Sequence, residues 1–143
     1  MDRREFEELR NLPGKIISDD IVFGLQAHTS PVMTFEGVSM GNDLGLDVVV
    51  NGAHNPAIPA TKFNFVLRGV GPICRLEVGG PPHGHTGKQH KHELKEETCP
   101  GRNLPHAVPR SDLDGKSVRE VWTDLCRRAG ITHTGQFVDL EGE

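Results

Sequence analysis

Apolar and polar positions repeat with two different periods along this chain, and each change of period marks an element. Near the start, Phe6 and Leu9 stand one turn apart in a charged stretch. Asp2 can cap it with Glu5 three residues later, and Pro13-Gly14 ends it, which predicts a short helix over Asp2–Leu12. Alternation by two then takes over. Ile21, Phe23, Leu25 and Ala27 alternate with other residues. A second run covers Val32 to Met40 and stops at Gly41-Asn42, and Leu44, Leu46, Val48 and Val50 make a third, stopped at Asn51-Gly52. Runs of this kind between turn residues predict strands. His28 and His54 fall between these runs and read as solvated loop residues.

The clearest hairpin joins Lys62–Arg68 to Ile73–Val78 through Gly69-Val70-Gly71-Pro72. Phe63, Phe65 and Leu67 share one face of its first strand, and Cys74, Leu76 and Val78 share one face of its second; these faces should line the core. Lys62, Asn64, Val66 and Arg68, with Ile73, Arg75 and Glu77, take the other face, read either as a solvated, ion-paired surface or as an anion-binding one. Cys99 to Arg110 is Pro-rich and reads as a long ordered loop or lid. Helical spacing returns over Ser117–Ala129, with Val118, Val121, Leu125 and Ala129 on one stripe and Trp122 widening it. Ser117 and Glu120 form a capping box, and Arg127, Arg128 and Gly130 suit the C-terminal end. Phe137 to Leu140 is expected to add a short final strand. The pattern predicts a single α+β domain over residues 1–143, with an antiparallel sheet of about five to seven strands, an N-terminal helix and a C-terminal helix.

Composition narrows the function classes. Six Phe, one Trp and no Tyr leave little for a base-stacking surface, and a formal net charge of −4 argues against simple duplex binding. A local patch survives that total, because His83 to Arg110 holds five Lys/Arg and five His against three Glu. Cys74, Cys99 and Cys126 are odd in number and form no C-x-x-C pair, so they read as reduced thiols in the cytoplasm. The charged N-terminus and the lack of a long apolar run give no expectation of a leader or of membrane insertion.

The candidate chemistry lies in His83-Gly84-His85-Thr86-Gly87-Lys88-Gln89-His90-Lys91-His92, where four of the eight histidines form H-x-H-x4-H-x-H. In a strand the two His of each H-x-H share a face, and a turn over Thr86–Gln89 would set His85 beside His90 and His83 beside His92. Imidazole changes charge near neutral pH and is a common metal ligand. One expectation is a metal-independent phosphodiesterase such as a small ribonuclease. His83, His90 and His92 would move protons, and Arg75, Arg68, Lys62 or Lys88 would hold the phosphate. A second is a zinc or other divalent-metal site built from His83, His85, His90 and His92, with Glu96 or Glu97 adding a carboxylate. A third is a non-enzymatic surface for a partner protein, and the plainest is a solvated His-rich loop.

Two resemblances bear on these expectations. Gly84-x5-His90-x-His92-x3-Glu96 resembles the first metal motif of cupins, although Gly101 comes too early, no second motif follows, and the chain continues into a helix. Thr61 to Arg68, Arg75 to Val78, Pro82-His83 and His90-Lys91-His92 together resemble a group of uncharacterised bacterial and prophage proteins over about residues 60 to 130. In that group a strand pair is followed by one His and then an H-x-H. The resemblance implies His83, His90 and His92 as site residues, and a toxin or phage-defence setting with RNA as substrate and a cognate inhibitor protein as partner.

Overall fold

The computed structural model describes residues 1–25, 30–79, 87–101 and 104–140. Helix α1 spans Arg3–Asn11. Its Asp2 side chain accepts from the Glu5 N–H at 2.8 Å while the Glu5 carboxylate accepts from the Asp2 N–H at 3.0 Å, so the expected capping box is present. The strands are β1 (Lys15–Ile17), β2 (Gly24–Leu25), β3 (Met33–Met40), β4 (Val48–Asn55), β5 (Ala60–Leu67), β6 (Gly71–Val78), β7 (His90–Glu93), β8 (Ala107–Pro109) and β9 (Ile131–His133). Helix α2, Val118–Arg128, precedes β9. Strands β2 to β8 form one seven-stranded antiparallel sheet in chain order, and β1 pairs in parallel with β9 apart from it. The expected α+β class, with a helix towards each end, is the observed one.

Both helices pack on the sheet face that carries Phe63, Phe65 and Leu76. Phe6 and Leu9 of α1 and Val121, Trp122 and Leu125 of α2 join these residues in one buried cluster. Phe63 sits at its centre, with ring centroids 5.2 Å from Trp122 and 6.2 Å from Phe35. Gly52, on β4 beside Phe63, lies beneath the Phe35 ring. A β-carbon there would come within 2.1 Å of that ring, so the position has to be glycine. Helix α2 begins with the second capping box, in which Ser117 and Glu120 exchange bonds at 3.2 and 3.3 Å. Ser117→Ala is expected to lower stability by about 1 kcal/mol, measured as a shift in the urea midpoint; an unchanged midpoint would show the cap to be redundant.

Several local expectations are corrected. Asn51-Gly52 lies inside β4 and does not end it, because Asn51 and Gly52 stay in register with Asn64 and Phe63 of β5. His54 is therefore a strand residue. It is half-buried, with Nδ1 2.7 Å from the Thr61 hydroxyl, and is not a solvated loop residue. The Pro-rich stretch contributes strand β8, and β1 and β9 had no clear alternation to announce them. Phe137 makes one parallel bridge to Ile21, and no strand spans Phe137 to Leu140. No helix among the described residues is long and apolar enough to cross a membrane.

Candidate functional site

The site is written in the register of β4 to β7. Residues that face each other across antiparallel strands share a sheet face. One cross-strand row on the face away from α1 and α2 reads Ala53, Lys62, Glu77, His90, and the next reads Asn51, Asn64, Arg75, His92. The polar face expected of the Lys62–Arg68 and Ile73–Val78 hairpin therefore continues onto the H-x-H of β7.

At the centre, His90 Nε2 is 2.6 Å and His92 Nε2 3.5 Å from Glu77 Oε2, and the ligand atoms of all three residues lie within 4.8 Å of one another. The imidazole rings meet edge to face, with centroids 4.8 Å apart. Each ring is fixed from behind: His90 Nδ1 donates to the Gly87 carbonyl at 3.1 Å and His92 Nδ1 to the Leu104 carbonyl at 2.9 Å. A carbonyl can only accept, so each Nδ1 carries a proton and each Nε2 is turned towards the carboxylate. Arg75 Nε stands 3.3 Å from the other carboxylate oxygen, Glu77 Oε1. His90 and His92 are buried, 0% and 3% exposed, while Glu77 and Lys62 also line an open cleft of about 260 Å³ bounded by Val32, Asn55 and Ile58.

The charges are mutually dependent. Burial by itself would raise the Glu77 pKa. Arg75, His90, His92 and Lys62 outweigh it, and the carboxyl is held below its ordinary value. His92 is pulled below its ordinary 6.5, by burial first and by Arg75 second, against smaller upward pulls from the Leu104 carbonyl and Glu77. The unfolded chain takes up the His92 proton near pH 6.5, and the folded one resists it. Stability is therefore expected to fall as the pH drops through that value, with the Glu77 contribution lost only at still lower pH, below the ordinary carboxyl value of 4.5. Urea unfolding at about pH 7.5 and about pH 5.5 should give the lower midpoint at the acid end, and His92→Gln should shrink the difference. An equal difference in that variant would place the effect elsewhere.

The structure brings together only part of the expected site. His90, His92 and Arg75 meet, and Lys62 flanks Glu77 on the neighbouring strand. Arg68 does not join them: it lies just past the far end of β5, exposed, 3.8 Å from Asp47. Lys88 is exposed in the turn leading into β7. His83 and His85 lie outside the described residues. On β7, His92 stands opposite Arg75 of β6 and Ala107 of β8.

The cupin-type carboxylate is also corrected. Glu96 pairs with His106 at 3.3 Å, the Glu97 carbonyl accepts from the Arg3 N–H, and the carboxylate that meets the imidazoles is Glu77. Its signal was present in the sequence, since Glu77 shares the Arg75 face of a strand that ends just before the His-rich stretch. Comparison with protein-family models, curated proteins and solved structures returned no match, so the chemistry of these side chains is what a functional reading has to rest on.

Proposed function

We propose that His90, His92 and Glu77 hold a divalent metal ion, zinc in the first instance, and that the protein hydrolyses an anionic ester there, with a phosphodiester such as RNA the class its cations suit. The observation that carries this reading is the convergence of two Nε2 atoms and one carboxylate oxygen within 4.8 Å, with each Nδ1 tied to a backbone carbonyl. Two imidazoles and one carboxylate, with outer hydrogen bonds fixing the rings, form a donor set used by divalent ions that keep a position open for water. A bound ion supplies a water of lowered pKa.

The chain's own residues do the rest. Arg75, on the Oε1 side of Glu77, and Lys62, in the cleft wall, bring positive charge to where a phosphate would gain negative charge. Val32 and Ile58 give the cleft an apolar wall. The oxygen of water bonds to phosphorus, the ester P–O bond breaks, and the proton that the water gives up ends on the departing alkoxide oxygen.

One observation favours a second reading, metal-free acid–base cleavage by the same residues. Two ligands of one zinc ion stand about 3.3 Å apart, and the 2.6 Å between His90 and Glu77 is the distance of a shared proton. Metal analysis of tag-free protein separates the two. The metal reading expects one equivalent of zinc, lost in His90→Ala and His92→Ala, and RNA cleavage stopped by EDTA and restored by zinc. Cleavage that persists in EDTA and disappears in His92→Ala would support the metal-free reading and overturn the first.

A further inference from the structure

The opposite face of the sheet, where the helices pack, has its own cleft, of about 460 Å³. Its floor is apolar, formed by Phe6 and Leu9 of α1, Met40, Phe65 and Ile73 of the sheet, and Leu125 of α2. Cations surround that floor, and most of them are spoken for. Arg110 and Arg128 pair with Asp112 and Asp124 at 2.7 to 3.3 Å, and Arg10 and Lys91 share Glu93 at 3.4 and 3.0 Å.

Lys15 is different. It is 2% exposed, and its ammonium donates to the Leu9 and Arg10 carbonyls, at 2.5 and 2.9 Å, at the C-terminal end of α1. Those carbonyls accept two of its three N–H bonds. No carboxylate among the described residues forms an ion pair with it, although buried charges are ordinarily paired. Burial pulls its pKa down to about 8, which still leaves it charged at neutral pH.

We propose that this cleft binds an organic monoanion with an apolar body, a straight-chain carboxylate, whose headgroup pairs with Lys15 and whose chain lies along Met40, Phe65 and Leu125. The volume lies in the usual range for small-molecule pockets. The apolar part of the lining is mostly aliphatic, which suits a flexible chain, and a single cation lacking a counter-charge suits a single negative charge. The site shares no residue with the Glu77 cluster and does not rest on the function proposed for it.

Decanoate is the probe, with decanol as its uncharged counterpart and the full chain as the receptor. Isothermal titration is expected to show saturable one-to-one binding of decanoate and a rise in melting temperature. Decanol should bind at least about tenfold more weakly, as the loss of a charge-assisted hydrogen bond requires. Lys15→Met should lose decanoate affinity by a similar factor while keeping its near-ultraviolet circular dichroism. Absence of saturable binding, equal affinity for decanoate and decanol, or a folded Lys15→Met variant that binds decanoate as wild type does would each overturn the proposal. Should Lys15→Met fail to fold, the decanoate–decanol comparison on the wild-type chain decides it alone.

Discussion

Substituting Gln for Glu77 is expected to weaken zinc binding by roughly 100-fold or more, since loss of even an outer-shell partner costs 10- to 100-fold and Glu77 is the carboxylate of the set. The replacement keeps the volume of the side chain and removes its charge, leaving two imidazoles beside a guanidinium. It should also destabilise the metal-free protein by about 3 kcal/mol, because a largely buried Arg75 loses its counter-charge 3.3 Å away. The informative control is Glu96→Gln, which alters the carboxylate that the cupin-like spacing points to. In the structure that side chain is 35% exposed and paired with His106, so zinc affinity should not change. Competition against a chromophoric zinc chelator, on samples shown to be folded, gives both numbers. Wild-type affinity in Glu77→Gln, or a larger loss in Glu96→Gln, would remove Glu77 from the ligand set.

That contrast shows how far the sequence could be read. Alternation over Lys62–Arg68 and Cys74–Val78 was enough to predict which side chains face the core, because a strand has only two faces and Phe63, Phe65 and Leu76 choose between them. Ile73, expected on the Arg75 face, is instead buried in the core, because the register shifts between Phe65 and Val66 and leaves Ile73 as an extra residue of β6. The capping boxes at Asp2 and Ser117 were legible for a similar reason: each is a local exchange between residues three apart. The site was half legible. His90 and His92 announced themselves by spacing, but their carboxylate is thirteen and fifteen residues upstream, and only the β6–β7 register, with Glu77 opposite His90, brings it to them. A spacing rule searches along the chain and finds Glu96; strand pairing acts across it and selects Glu77. Arg68 misled for the complementary reason. It shares a face with Lys62, but strand rise places it about 20 Å further along. Strands β1, β8 and β9, of three residues each, are too short for any period to show.

Phe63→Ala is expected to be the most damaging single change to the fold, lowering stability by about 3–5 kcal/mol. A large share of the 5–15 kcal/mol typical of a domain is then lost, and the melting temperature should fall by roughly 10–20 °C. The ring is 1% exposed and contacts Phe23, Phe35 and Trp122, while its neighbours across the strands are Leu76 and Gly52. Gly52 has no side chain to move into the void, and Phe35 already lies over that glycine, so collapse can fill little of the cavity.

The site should respond quite differently. Phe63 lies between Lys62 and Asn64 in sequence but points to the other face, and the Glu77–His90 pairing belongs to the next two strands. A folded Phe63→Ala protein is therefore expected to bind zinc with wild-type affinity, and saturating zinc should raise the free energy of unfolding of variant and wild type by the same amount. The two measurements together separate support of the fold from chemistry at the site. If zinc affinity in the folded variant fell as far as in Glu77→Gln, the two faces of the sheet would be energetically coupled, and register alone would not be what holds the imidazoles against the carboxylate.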